Sequence, residues 1–216
     1  MSEFFAPRWG FSCAALAFLC LSLAGCAPGR TSQGFVSTRL TQAYIPLFQG
    51  RALIYGRWGA AVALTPDIAV TNDHNYNLIP RDSLIARSRD YDLLFFRADG
   101  HMAPELGVPW KDEPVIAYGQ GGSRQALREA TGTIASLNDT VAARCVDCLP
   151  QSTITFETDA GEGFSGGPVV DAATGAVVGI TFGYRDEQDG KVRRMFAYDI
   201  SLVLDEMRRL IHNGGE

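Results

Sequence analysis

From residue 52 onward the apolar positions fall into short runs, and each run is closed by Gly, Pro, Asp or Asn. Ala52 to Tyr55, Ala61 to Leu64, Ile68 to Thr71, Ser83 to Ala86 and Asp92 to Phe96 make a first group. A second group follows Pro109: Pro114 to Tyr118, Gly132 to Leu137, Thr153 to Thr158, Val169-Val170, Ala176 to Phe182 and Val192 to Tyr198. Runs of this length, many with alternating apolar and polar positions, predict strands joined by tight turns. Thr65-Pro66-Asp67 has the composition of a type I turn between two of them. About six strands on each side of roughly residue 111 predict an all-β fold of two six-stranded antiparallel barrels, placed side by side. One helix is predicted at the end, over 201–212. Ser201 stands at its cap, and Leu202, Leu204, Met207, Leu210 and Ile211 form its apolar stripe.

Composition agrees with a packed domain. The chain has 216 residues, 46% hydrophobic and 10% aromatic, with 23 glycines suited to many turns. The formal net charge of −5 argues against a general affinity for nucleic acid, which requires a basic surface.

The strongest chemical signal is Gly163-Phe164-Ser165-Gly166-Gly167-Pro168. A serine hydroxyl attacks a carbonyl only beside a base and opposite donors that hold the developing oxyanion. Glycines around it let the backbone turn sharply enough to aim two N–H groups at one point. Val169-Val170-Asp171 and then Gly175 to Ile180 follow, a β context unlike the strand–turn–helix around the serine of α/β-hydrolases. The segment resembles the trypsin-like serine protease superfamily. Val70-Thr71-Asn72-Asp73-His74 resembles its histidine motif, in the form found in the bacterial high-temperature-requirement (HtrA) branch. Tyr91 to Arg97 resembles the stretch that opens on its aspartate. The resemblance covers about residues 50 to 205 and implies the protease part alone, without a PDZ domain. It assigns His74 as general base, Asp92 as the residue that orients it, Ser165 as nucleophile, and the N–H groups of Gly163 and Ser165 as the oxyanion hole. Asp90 is the alternative third member; His101 and His212 lie outside any matching motif. Only 18 residues separate His74 from Asp92, which demands short loops. The competing reading is a catalytically inactive binding module on the same fold, and three filled triad positions favour the enzyme.

Specificity is carried by Asp159, Glu162, Thr181, Phe182, Gly183 and Tyr184. Asp159 stands six residues before Ser165, where trypsins keep the aspartate of the first specificity pocket, and with Glu162 it would favour Lys or Arg before the cut. Thr158-Asp159-Ala160 equally resembles a structural run of HtrA-like enzymes, whose preference is for small apolar residues. Thr181 stands where bacterial glutamate-specific relatives carry His. Phe164 occupies the place where animal trypsins keep an aspartate that pairs with a newly freed N-terminus, so that switch is not expected. The resemblance implies a polypeptide substrate, with no metal and no organic cofactor.

The N-terminus reads as an export signal over 1–25, with Arg8 before an apolar run from Phe11 to Leu23. Leu23-Ala24-Gly25-Cys26 resembles a bacterial lipobox, which implies cleavage before Cys26 and lipid on that residue. Ala27 then favours the outer membrane, facing the periplasm. Residues 26–34 are expected to be a lipidated Cys and flexible tether, and 35–216 the protease domain, with barrels over about 35–111 and 112–200. Cys145 and Cys148 are the thiols left after processing. In an oxidising compartment a loop-stapling disulfide is expected; a redox pair and half a zinc site are the alternatives.

Overall fold

A computed structural model describes residues 29–49, 56–121, 126–141, 151–186 and 193–213. Its elements in chain order are β1 (Arg30–Thr31), a short helix (Thr38–Ala43), β2 (Tyr44–Gln49), β3 (Arg57–Ala63), β4 (Ile68–Thr71), β5 (Leu84–Arg87), β6 (Leu94–Arg97), β7 (Pro114–Gln120), β8 (Leu127–Val141), β9 (Gln151–Thr158), β10 (Pro168–Asp171), β11 (Val177–Asp186), β12 (Arg193–Asp199) and a C-terminal helix (Ile200–Asn213). The all-β class with a closing helix is therefore as the hydrophobic pattern predicts.

The strands β8-β7-β10-β11-β12-β9 form an antiparallel sheet that closes because β8 also pairs β9, giving a six-stranded barrel. The first unit is antiparallel as well. Among the described residues it is a five-stranded sheet in the order β2-β3-β4-β6-β5. The run Ala52 to Tyr55 predicted as a further strand lies outside the described residues, as do Cys26, Cys145 and Cys148.

Strand alternation sorts the buried side chains into three clusters. Val115, Ala117, Ile134, Phe156, Val169, Val178, Met195 and Ala197 fill the closed barrel. Leu47, Ala61, Ala69, Leu94 and Phe96 pack on one face of the first sheet. Their neighbours of opposite parity, Val62, Val70 and Phe95 from the first sheet with Tyr118, Val170, Phe196 and Tyr198 from the barrel, share one cluster between the two units. Burial on both faces explains why these strands read as apolar runs more than as strict alternation.

Two expectations are corrected. Residues 29–34 are not a loose tether: β1 pairs β8 with Arg30 opposite Glu129 and Thr31 opposite Arg128, and the Ser32 N–H donates to the Leu127 carbonyl at 3.0 Å. The cap of the last helix is Asp199, whose Oδ1 accepts from the N–H and the hydroxyl of Ser201, both at 2.7 Å. A carboxylate one residue before the first turn outcompetes the serine for the free N–H groups. Within that helix Ile200, Val203 and Glu206 are buried and Ile211 is exposed.

A carboxyl pair sits where β7 begins. Glu113 is fully buried; its Oε2 accepts from the Trp110 N–H at 3.1 Å, while Oε1 meets no donor. Its neighbour is Asp171, whose Oδ1 accepts from the N–H groups of Ala173 and Thr174 at 2.7 and 2.8 Å. Burial, with Asp171 alongside, pushes Glu113 up to about 7. Burial also opposes charge on Asp171, but the N–H groups of Thr174 and Ala173 and the contact with Glu113 outweigh it and hold Asp171 below its usual range. The proton is therefore held by Glu113 rather than by Asp171. The folded state binds this proton more tightly than the unfolded chain, so its contribution is complete below the ordinary carboxyl range and is lost as pH rises through about 7. Glu113→Gln, which mimics the protonated form, should leave urea stability near wild type at pH 4.5 and raise it by ~2 kcal/mol at pH 8.

Candidate active site

The site is assembled at the junction of the two units. β4 ends at Thr71, and a 3₁₀ turn over Asp73–Leu78 carries His74. The segment before β6 carries Asp92, which is 8% exposed. Both carboxylate oxygens of Asp92 engage His74: Oδ1 accepts from the backbone N–H at 3.0 Å, and Oδ2 lies 2.6 Å from Nδ1. An ionised carboxylate only accepts, so Nδ1 carries the hydrogen and Nε2 is left with its lone pair outward. Asp92 is fixed in turn, because its carbonyl accepts from Asn72 Nδ2 at 3.0 Å and its N–H donates to the Tyr198 hydroxyl at 3.0 Å. The burial that fixes Tyr198, stacked on Phe182 at 4.3 Å, also raises its hydroxyl well above the usual range. Asp90 is placed elsewhere, on the surface, 3.2 Å from Arg209 of the last helix.

Ser165 lies in the loop between β9 and β10. Gly163 and Gly166 adopt φ of 89° and 79°, and a Cβ at either would come within 2.1 Å of a backbone oxygen, that of Gln120 or Ala60. Only glycine fits these two positions. The Thr181 hydroxyl donates to the carbonyls of Phe164 and Gly167, and the Gly166 N–H donates to the Thr181 carbonyl at 2.8 Å. Two further bonds tie the loop to the first sheet: the Ser165 carbonyl accepts from the Ala60 N–H at 3.0 Å and from Asn75 Nδ2 at 3.1 Å. Among the described residues no backbone or side-chain group accepts from the N–H of Gly163 or of Ser165.

His74, Gly163 and Ser165 line one cleft, together with Gly56, Arg57, Trp58, Asn75, Asn77, Leu78, Glu162 and Tyr184. Of the residues expected to contact substrate, Glu162 and Tyr184 are brought to this cleft. Gly183 borders open space. Thr181 and Phe182 are buried, the first holding the serine loop and the second stacked in the inter-barrel core. Asp159 is not brought to the cleft. It is exposed and lines a separate depression with Arg30, Glu129 and Glu157, because the chain turns between β9 and the serine loop. Trp58, Asn75 and Tyr198 were missed by sequence reasoning. Asn75 had one available signal, an amide beside the motif histidine; the other two follow only from tertiary packing.

The fold and site define a two-unit β protein with a histidine–carboxylate pair facing a serine loop, the architecture of trypsin-like peptidases. Residues 56–180 match the trypsin-like peptidase domain family, and the chain belongs to that family. Solved structures agree in fold. The HtrA-type protease AlgW with a tripeptide superposes with a TM-score of 0.63 at 23% identity, covering 82% of this chain and 62% of that one. The MamO protease domain from Magnetospirillum magneticum gives 0.58 at 18%, covering 78% and 97%. The Rv3671c protease from M. tuberculosis, active form, gives 0.61 at 15%, covering 79% and 82%. No curated protein matches the sequence.

Asn75 offers the most direct test of how this site is held. It is buried, and its Nδ2 donates both to Ser165 and to Thr71 Oγ1 at 3.0 Å. Asn75→Ala leaves the Ser165 carbonyl with one donor and should cost ~1–3 kcal/mol in urea unfolding. An unchanged midpoint would show that the bridge contributes nothing to the fold.

Proposed function

We propose that the chain is a serine endopeptidase. The observation that carries this reading is the doubly held His74–Asp92 pair facing the same cleft as Ser165. Ser165 Oγ attacks the carbonyl carbon of the scissile peptide while His74 Nε2 takes the hydroxyl proton. The N–H groups of Gly163 and Ser165, which have no acceptor among the described residues, receive the oxyanion. The C–N bond breaks as His74 returns the proton to the leaving amine. Water, activated by the same imidazole, then releases the acyl group. Asp92 holds the tautomer and stabilises the imidazolium throughout.

A polypeptide substrate is supported by the relatives solved with bound peptides, AlgW with a tripeptide and with a decapeptide. The case for cleavage after Lys or Arg loses its Asp159 argument, since that carboxylate faces away from the cleft; Glu162 retains a negative charge inside it. A fluorophosphonate probe should label the wild type and not Ser165→Ala. Peptidase activity should fall by ~10³-fold or more in His74→Ala and Asp92→Asn, and stay near wild type in Asp90→Asn. Absence of labelling in folded wild type would favour the inactive binding module.

We further propose attachment to the outer membrane, facing the periplasm, through lipid on Cys26, and a disulfide between Cys145 and Cys148. The lipobox match supports the first. Gly29 is already docked on the barrel, so only Ala27 and Pro28, at most ~11 Å of chain from Cys26 to Gly29, separate the anchor from the folded domain. Cys26→Ser should move the protein from the membrane to the soluble fraction; unchanged fractionation would refute the anchor.

A further inference from the structure

Residues 29–32 make more polar contacts than a two-residue strand needs. The Arg30 guanidinium meets Glu129 Oε1 at 2.7 Å, and the Ser32 hydroxyl donates to Glu129 Oε2 at 2.5 Å. Arg128 donates to the Gly29 carbonyl and to Thr31 Oγ1. β1 occupies the same edge of β8 as β9, just beyond the point where β9 ends at Thr158. Its own residues are exposed and add little to the core. What the segment does touch is the serine loop, at two places. The Gly29 N–H donates to the carbonyl of Asp159 at 3.0 Å. The α-carbon of Gly29 also closes over the ring of Phe164, so tightly that a Cβ there would lie 2.8 Å from Cζ. Phe164 is fully buried, and the near end of its ring lies against Gly119, where a Cβ would lie 2.6 Å from Cγ.

We propose that residues 29–32 are a clamp that positions the loop bearing Ser165. Gly29 grips the loop where it leaves β9, at Asp159, and where it delivers the serine, at Phe164. Between these points lie Glu162 and Gly163, both in the cleft. With the clamp docked, the Phe164 ring is sealed between two glycines and the peptide joining it to Ser165 has one orientation. With the clamp displaced, one wall of the slot opens to water and the loop gains alternatives in which the Gly163 and Ser165 N–H groups no longer converge. The rate of acylation then falls in proportion to the fraction of loops still in place. This inference rests on the peptidase reading, but the placement of the loop does not.

The test uses the full chain carrying Gly29→Ala. Gly29 has φ of 66°, and the added methyl would also lie 2.8 Å from the Glu129 carbonyl oxygen, so the segment must leave the slot. Fluorophosphonate labelling of Ser165 should slow at least ~10-fold, with a melting temperature within a few degrees of wild type because β1 is exposed. Amide hydrogen exchange over residues 161–165 should accelerate by a similar factor. In a Phe164→Leu background, Gly29→Ala should slow labelling by less than twofold further, since the ring that the clamp holds is already gone; independent losses that multiply would overturn the clamp. Wild-type protein that exchanges as expected but is not labelled would defeat the peptidase reading alone. Unchanged exchange over 161–165 in Gly29→Ala would overturn the clamp whatever the activity. Should Gly29→Ala give no cooperative melt, Phe164→Leu decides the matter: normal labelling and normal exchange in that variant overturn the proposal.

Discussion

The carbonyl oxygen of Ser165 accepts two hydrogen bonds from the first sheet, one from the backbone of Ala60 and one from the side chain of Asn75. These bonds cross between the two folding units, and they come from the elements that carry the histidine. β3 presents Ala60, and the 3₁₀ turn presents both His74 and Asn75 on consecutive residues. The Thr71 hydroxyl completes the tie by donating to the Ala60 carbonyl at 2.7 Å while accepting from Asn75. A site assembled from residues of both units therefore does not rely on the apolar interface alone, which specifies separation better than register. The directional bonds fix how far the serine loop stands from the imidazole, and side chains held by such networks keep the precision that chemistry requires.

The apolar side of the junction works with the same residues. Tyr198 stands on β12 in the core shared by the units, stacks on Phe182, and uses its hydroxyl to hold the Asp92 N–H. Phe182 sits where β11 shifts register against β12, between Thr181 and Gly183. That irregularity lets Thr181 turn its hydroxyl toward the serine loop while Tyr184, further along, reaches the cleft. One bulge thus serves the core, the loop and the substrate groove.

The division of the chain into two β units and a final helix was legible, because short apolar runs between turn residues are set by local preference and burial. That His74, Asp92 and Ser165 come to one site was legible because each sits in a motif whose neighbours have steric work: Gly163 and Gly166 admit no Cβ, and Leu93 to Phe96, directly after Asp92, are buried. Asp92 over Asp90 follows from the bend before β6, which turns one carboxylate toward His74 and leaves the other on the surface beside Arg209. The failures share a cause. Asp159 was judged by distance in sequence from Ser165, but the turn after β9 aims its side chain outward. Ser201 is a capping residue by type, but Asp199 stands two residues earlier and accepts from the N–H of Ser201 itself. Residues 29–34 were judged by composition, small and polar, yet their partners Leu127, Arg128 and Glu129 lie about a hundred positions away. No local pattern records a contact of that separation.

Phe164 is the buried anchor of the serine loop. By resemblance to animal trypsins an aspartate stands at this position, held by a charged N-terminus. An aromatic ring changes the physics of the attachment. It is held by dispersion and exclusion of water, which neither titrate nor respond to salt in the pH range where peptidases work. Such a hold needs close walls, and glycine is the residue that lets backbone approach a ring face this nearly; Gly119 and Gly29 supply one wall each. It needs no free amine. A chain whose N-terminus is blocked by lipid can therefore fix its serine loop as firmly as one whose N-terminus is exposed, provided that the segment beyond the lipid lies against the barrel. In this sequence Gly29 and β1 do lie against the barrel.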